Sequence, residues 1–294
     1  ETGITVNVVE ANGDLLIERV RADAERSPAD VIITVDAGRL YRAAEAGLFQ
    51  PAGIENTLET IPDSLRHPDD LWFGFSTRAR VIAYAPARVD PATIEGYADL
   101  AEDRFEGRVC VRSSNNVYNQ SLLAALIERL GADAAEAWAR GIVENMARPP
   151  QGGDTDQIRA VAAGDCDVAL VNHYYWARLA RSEAPADQAG ADATALLFPG
   201  QNSGGTHINV SGAGLAVGAP NADNARTFLR FLLESEAQRA FAELTNEFPA
   251  VETVEYDNPL LEDLHEFEAD PLPVNALGEN ASEAQRIFDR VGWQ

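Results

Sequence analysis

Two adjacent phenols, Tyr174 and Tyr175, follow directly on the apolar run Val168 to Val171 in the segment Asp165-Cys166-Asp167-Val168-Ala169-Leu170-Val171-Asn172-His173-Tyr174-Tyr175-Trp176-Ala177-Arg178. The run reads as a buried strand, and in open α/β sheets ligands sit beyond the carboxyl ends of the strands. Within a strand consecutive side chains point to opposite faces, but at a strand-to-helix turn both can converge on one crevice. Two readings of the pair stay open. It is either packing with a hydroxyl in water or a pair of oxygen donors facing a ligand. A third phenol, Tyr118, lies in the loop Val111-Arg112-Ser113-Ser114-Asn115-Asn116-Val117-Tyr118-Asn119-Gln120, which also follows a buried strand.

The remaining reactive side chains form no motif. His67, His173, His207 and His265 are scattered without metal-ligand spacing and read as structural or surface residues, with His173 pointing away from the phenols into the fold. Cys110 and Cys166 lack any CxxC arrangement. Each sits in or beside a strand, so a disulfide in an oxidising compartment and two buried free thiols both remain open. Ser211-Gly212-Ala213-Gly214 and the run Gly200 to Gly205 are glycine-rich, but neither is a nucleophile elbow or a phosphate loop. The glycines read as places where strands approach closely. A hydrolase is the remote alternative, and the expectation is a protein that is not an enzyme.

Positioning the phenols falls to an alternation of short apolar runs and helical patterns, which predicts α/β architecture with largely parallel sheet. Leu16, Val20 and Ala24 fall at helical spacing ahead of a strand Val31 to Val35, and a helix from Arg39 to Ala46 stops at Gly47. Trp72 to Phe75 and Arg80 to Ala85 read as two strands. The pattern restarts at strand Arg108 to Val111, with helices Asn119 to Leu130 and Asp133 to Met146. After the loop Pro149-Pro150-Gln151-Gly152-Gly153, Asp154 reads as the N-cap of a helix Thr155 to Ala163. Gly204 to Gly218 reads as strand and crossover. Helices Ala222 to Leu233, Glu236 to Leu244 and Ser282 to Val291 finish the chain.

The chain has 294 residues and a formal net charge of -24, with 47 acids against 23 bases, every one of them Arg. Such a surface repels phosphate backbones, so nucleic acid is excluded as a partner. No apolar run approaches the roughly 20 residues that span a bilayer. The sequence opens on Glu1-Thr2-Gly3 without an initiator Met or an apolar signal core and runs into the alternating stretch Thr5 to Val9, so any signal peptide has been removed.

The Tyr-Tyr segment and Ser-Ser-Asn-Asn-Val-Tyr-Asn-Gln resemble the ferric-iron-binding proteins of bacterial ABC importers, above all the tyrosine-rich members of cyanobacteria and marine bacteria. The stretches Ala29 to Leu40 and Gly205 to Gly214 resemble the same family, so the similarity covers nearly the whole chain. It implies a two-lobed type II periplasmic-binding-protein fold, closing through crossover strands near Arg80 to Ala85 and Val210 to Val217. Residues 1–86 and 202–250 would form the first lobe, and residues 87–201 and 251–294 the second. It also implies Tyr118, Tyr174 and Tyr175 as ligands of Fe(III), with Arg78 and Arg178 beside them holding the phenolates or a synergistic anion such as carbonate. Fe(III) is a hard cation that favours anionic oxygen, and three phenolates would cancel its charge.

The resemblance further implies a monomer in the periplasm, or otherwise outside the cytoplasm and membrane-tethered, delivering iron to an ABC permease in the inner membrane. Family members usually begin with an extra strand whose loop supplies a Tyr or His ligand. This chain begins past that point, so a fourth ligand is expected to be missing from view. Members with an acidic ligand carry it near the position of Val35, next to Asp36 here. The same fold carries polyamines, thiamine and phosphonates, and stacking tyrosines around a small organic cation is the alternative.

Overall fold

The computed structural model describes residues 2–23, 27–264 and 266–294; Ala24 and His265 lie outside the described residues. Eight strands form one sheet: β1 Val31–Val35, β2 Phe49–Gln50, β3 Phe73–Tyr84, β4 Val109–Cys110, β5 Val168–Asn172, β6 Ala195–Leu197, β7 Ile208–Ala216 and β8 Phe248–Pro249. The main path is β1-β7-β3-β5-β4, with β2 on β7 and with β6 and β8 on β3.

The expected largely parallel sheet is corrected. Every pairing between these strands is antiparallel except β4 with β5. Alternation of helix and strand in sequence does not fix strand direction. Only the β4–β5 crossover, which carries helices Val117–Leu130, Ala132–Glu144 and Asp154–Ala163, returns the chain parallel to where it left.

A second correction concerns β3. The two expected strands are one run of twelve residues, continuous through Ser76, Thr77 and Arg78. These polar residues look like a break in sequence, yet all three are buried, and Ser76 and Arg78 find polar partners beside the sheet. Ser76 Oγ donates to Glu247 at 2.5 Å, and Arg78 Nη2 donates to Ser211 Oγ at 2.5 Å.

Along its length β3 exchanges partners. From Phe73 to Ala79 it pairs with β7, and from Arg80 to Tyr84 with β5. Its side chains therefore enter different hydrophobic clusters. Phe73 and Phe75 join Leu40, Phe49 and Leu215. Further on, the two-residue period sends Ile82 to one face, with Leu122, Trp138 and Phe288, and Ala79, Val81 and Ala83 to the other, with Ile158 and Val171. The carboxyl-terminal segment is shared: Val251, Val274 and Leu277 pack in the first cluster, Ala284, Ile287 and Trp293 in the second.

The expected close approach of glycines is seen in β7. A methyl group on Gly212 would lie 2.8 Å from the Phe73 carbonyl oxygen, and one on Gly214 would lie 2.5 Å from that of Leu71. Neither position leaves room for a side chain.

Several boundaries shift. Thr5 to Val9 takes no regular structure, and Val6, Val8 and Val9 are exposed. The helix after it spans Gly13–Asp23 and buries Ile17. The expected helix Glu236 to Leu244 runs from Ser235 to Ala240 and then widens to a π-helical turn, Phe241–Thr245. No helix among the described residues is long and apolar enough to cross a membrane.

Of the two cysteine readings, the bonded one is found: Cys110 and Cys166 form a disulfide with Cα atoms 5.8 Å apart. It joins β4 to the turn ahead of β5. Closing a loop of residues 56 apart in sequence removes unfolded-state entropy worth about 4 kcal/mol in the chain-entropy account. The double variant Cys110→Ala/Cys166→Ala is expected to lose about 3–4 kcal/mol in urea unfolding. A loss below about 1 kcal/mol would show that the crosslink constrains little.

Candidate functional site

Residues of β5 from Val168 to Asn172 are all buried, and the helix His173–Ala180 starts without an intervening loop. Asn172 is the last extended residue, at φ −84° and ψ 138°. The change from a two-residue to a 3.6-residue period just before Tyr174 brings neighbouring side chains to one side. The Tyr174 and Tyr175 rings lie 4.4 Å apart between centroids, tilted by 32°.

Tyr118 is the second residue of helix Val117–Leu130, whose N-cap Asn116 accepts from the Tyr118 backbone N–H at 3.0 Å. Because β4 and β5 run parallel, with Cys110 opposite Ala169, their carboxyl ends open on the same edge of the sheet. The phenols that follow them meet there. The Tyr174 hydroxyl donates to that of Tyr118 at 3.2 Å, and the Tyr175 side chain lies near enough to Tyr118 to oppose its ionisation.

Burial pushes Tyr174 well above the usual phenol range and raises Tyr118 too. The neighbouring phenols oppose ionisation, since a second phenolate would sit against the first. The nearby Arg78 charge works the other way on both. On balance Tyr118 and Tyr174 are held protonated near neutrality when no cation lies between them.

Both arginines singled out in the sequence lie here. Arg78 is 1% exposed. It reaches Ser211 and Glu247, the latter at 3.8 Å, while its Nε and Nη1 have no hydrogen-bond partner. Arg178 is exposed and lies over the rings of Tyr174 and Tyr175, at 4.7 and 5.4 Å from their centroids.

Two arginines that sequence reasoning passed over also face Tyr118. Arg80 and Arg112 lie 5.9 and 5.4 Å from its ring centroid, and both pair with the buried carboxylate of Asp154. Asp154 is not the expected N-cap. Gly153 takes that place, and Asp154 is the first residue of helix Asp154–Ala163 with its side chain turned inward. The signal available was Arg-Ala-Arg in a strand that is apolar on both sides, since a buried guanidinium demands a buried acceptor.

His173 does point away from the phenols. Its Nδ1 accepts from the Ala79 N–H at 3.1 Å, its Nε2 donates to the Asn246 carbonyl at 2.8 Å, and its ring stacks on Phe248 at 4.4 Å. With both nitrogens engaged it has no lone pair to offer a metal. Asp36 is likewise committed: it is fully buried and accepts from Gly38 N–H, Ser121 Oγ and Asn209 Nδ2 at 2.6–2.9 Å. Among the described residues no group of three His, Cys, Asp or Glu side chains could hold a metal ion. The oxygen donors that gather here are the phenols of Tyr118, Tyr174 and Tyr175.

Against known proteins, this architecture is the two-lobed type II periplasmic-binding-protein fold. The iron- and citrate-bound Trichodesmium protein IdiA (FutA) matches with a TM-score of 0.96 and 49% identity, over 100% of this chain and 92% of that one. Apo FutA2 from Synechocystis matches with a TM-score of 0.94 and 46% identity, over 97% and 91%. In sequence, iron uptake protein A2 of Synechocystis is 47% identical over 98% of this chain and 84% of that protein. The major ferric iron-binding protein of Neisseria meningitidis is 27% identical over 100% and 86%. The model of the bacterial extracellular solute-binding protein family matches residues 1–270, and this chain belongs to that family.

The buried imidazoles make the fold acid-sensitive. Burial lowers both His173 and His207 from the ordinary 6.5 to about 4. Between those values the unfolded chain binds protons that the folded one refuses, so stability is full above about pH 6.5 and falls toward pH 4. Urea unfolding across this window is expected to lose a few kcal/mol, and His207→Gln is expected to flatten the slope by about half. A slope that His207→Gln leaves unchanged would contradict neutral burial of His207.

Proposed function

We propose that this chain captures ferric iron outside the cytoplasm and delivers it to an ABC permease, with the phenolate oxygens of Tyr118, Tyr174 and Tyr175 as its metal ligands. One observation carries the reading: phenols from two segments far apart in sequence gather, with the Tyr174 and Tyr118 hydroxyls 3.2 Å apart and the Tyr175 ring 4.4 Å from that of Tyr174. Relatives named for iron uptake and ferric-iron binding support it, as does the iron-bound structural neighbour.

Packing alone does not require hydroxyls to gather in a half-buried cluster. A small trivalent cation does. Placed among the three oxygens, Fe(III) would lower each phenol's pKa far below its ordinary value of about 10 and displace the protons. Three phenolates then match its charge, so the loaded site would carry no net charge from this set.

Arg78 favours the ionised phenols, and its unpartnered Nε and Nη1 could donate to an oxyanion sharing the metal. Arg178 covers the outer faces of the pair. We assign these two arginines to phenolate stabilisation and to holding a synergistic anion, carbonate being the simplest that fits the charge. The chain would act as a monomer and be tethered to the membrane or free beside it. Its two lobes, residues 1–86 with 202–250 and 87–201 with 251–294, would close through β3 and β7. No reaction is catalysed: the work is capture and release.

Titration of the purified protein with ferric citrate tests this. A visible phenolate-to-iron charge-transfer band is expected to saturate at one iron per chain, together with a raised melting temperature. Tyr174→Phe is expected to weaken the band and lower affinity. A colourless titration with unchanged melting temperature would overturn the reading and favour a small organic cation held by the aromatic rings.

A further inference from the structure

We infer that Asp154 is a positioning residue, one buried carboxylate that holds Tyr118 in place against the Tyr174–Tyr175 pair through Arg80 and Arg112. The inference rests on the reading of the three phenols as iron ligands and adds to it what fixes their mutual geometry.

Asp154 is fully buried, and its oxygens take three contacts from three separate elements. Arg112 Nη1, in the loop ahead of the Tyr118 helix, reaches Oδ1 at 3.1 Å. Arg80 Nη1, at the point where β3 changes partners, reaches Oδ2 at 2.6 Å. The Asn172 backbone N–H, two residues before Tyr174, donates to Oδ2 at 2.7 Å.

Arg80 carries the connection on. Its Nη2 donates to Asn119 Oδ1 at 2.7 Å, next to Tyr118, and its Nη1 also reaches Asn172 Oδ1 at 3.2 Å. Asn119 Nδ2 in turn donates to the Arg112 and Ser113 carbonyls at 2.9 and 3.2 Å. Every path from the Tyr118 helix to the Tyr174 helix through this network passes over Asp154 or Arg80. Burying one carboxylate with two guanidiniums is costly. A structural ion pair would need neither the second arginine nor the link to both tyrosine-bearing segments.

The charges bear on the site as well as the geometry. Two cations against one anion leave an excess positive charge at the ring of Tyr118, since both guanidinium carbons lie within 6 Å of its centroid. This favours the ligand in its ionised form. Partners behind the ligands of a metal site set ligand orientation, and losing one costs about 10–100-fold in affinity or activity.

The test uses the full chain loaded with ferric citrate, the wild type beside Asp154→Asn, Arg112→Gln and Arg112→Lys. Two quantities are read: the position and intensity of the visible band per bound iron, and the rate of iron loss to an excess of a strong chelator. Asp154→Asn is expected to release iron about tenfold faster or more, with a shifted or weakened band. Arg112→Gln is expected to change both in the same direction, and Arg112→Lys to restore part of each. Should Asp154→Asn fail to fold, the Arg112 pair decides the question, because Arg112 is partly exposed and its loss leaves the Arg80–Asp154 bond in place.

Folded variants with wild-type band and release rate would overturn the positioning role while leaving the iron reading intact. A wild type that shows no band at all would remove the iron reading, and this inference with it.

Discussion

A phenol packed against other phenols and largely withdrawn from water resists losing its proton, and that constraint governs Tyr118 and Tyr174. Burial and mutual repulsion hold Tyr118 and Tyr174 neutral. In the proposed site a cation of high charge density is what would stabilise their ionised forms. Selectivity there would follow from charge and hardness, because a trivalent, oxygen-seeking ion offers a stronger field for displacing the protons than a monovalent or divalent one. The nearby arginines would block a cation if the phenols were merely polar. Beside phenolates they would become counter-charges, which is how the proposed cation site accommodates Arg78, Arg80, Arg112 and Arg178.

The fold delivers that geometry through two features of the sheet. Parallel pairing of β4 with β5 sets their carboxyl ends side by side, and the disulfide between Cys110 and Cys166 fastens the same two segments behind the site. The long strand β3, with β7 against its first half and β5 against its second, carries Arg78 and Arg80 past the phenols on continuous backbone. Side chains mounted on strands and helix starts hold position better than side chains on free loops, which the proposed metal ligands would need. Partner exchange near Ala79 also gives the chain a place where the sheet could flex without breaking either cluster of packed side chains.

Much of this was legible in the sequence because it is local. Apolar runs and helical spacing gave β1, β5 and most of the long helices, and the phenols stood at the expected strand ends. The resemblance then connected Tyr118 to the pair. What was not legible depends on contacts between distant residues. Ser76, Thr77 and Arg78 look like a break in a strand until Glu247 and Ser211 are placed beside them. Asp154 has the sequence context of an N-cap, and only the fold turns it toward Arg80 and Arg112. Strand direction was hidden for the same reason, since periodicity reports which face a residue is on and not which way the neighbouring strand runs.

The central claim, that all three phenols bind one iron as phenolates, is tested most directly by resonance Raman spectroscopy with excitation inside the visible band of the iron-loaded protein. Phenolate ring vibrations should be strongly enhanced, and each of Tyr118→Phe, Tyr174→Phe and Tyr175→Phe should remove part of that enhancement. Absence of tyrosine modes, or enhancement that none of the three substitutions reduces, would contradict the account.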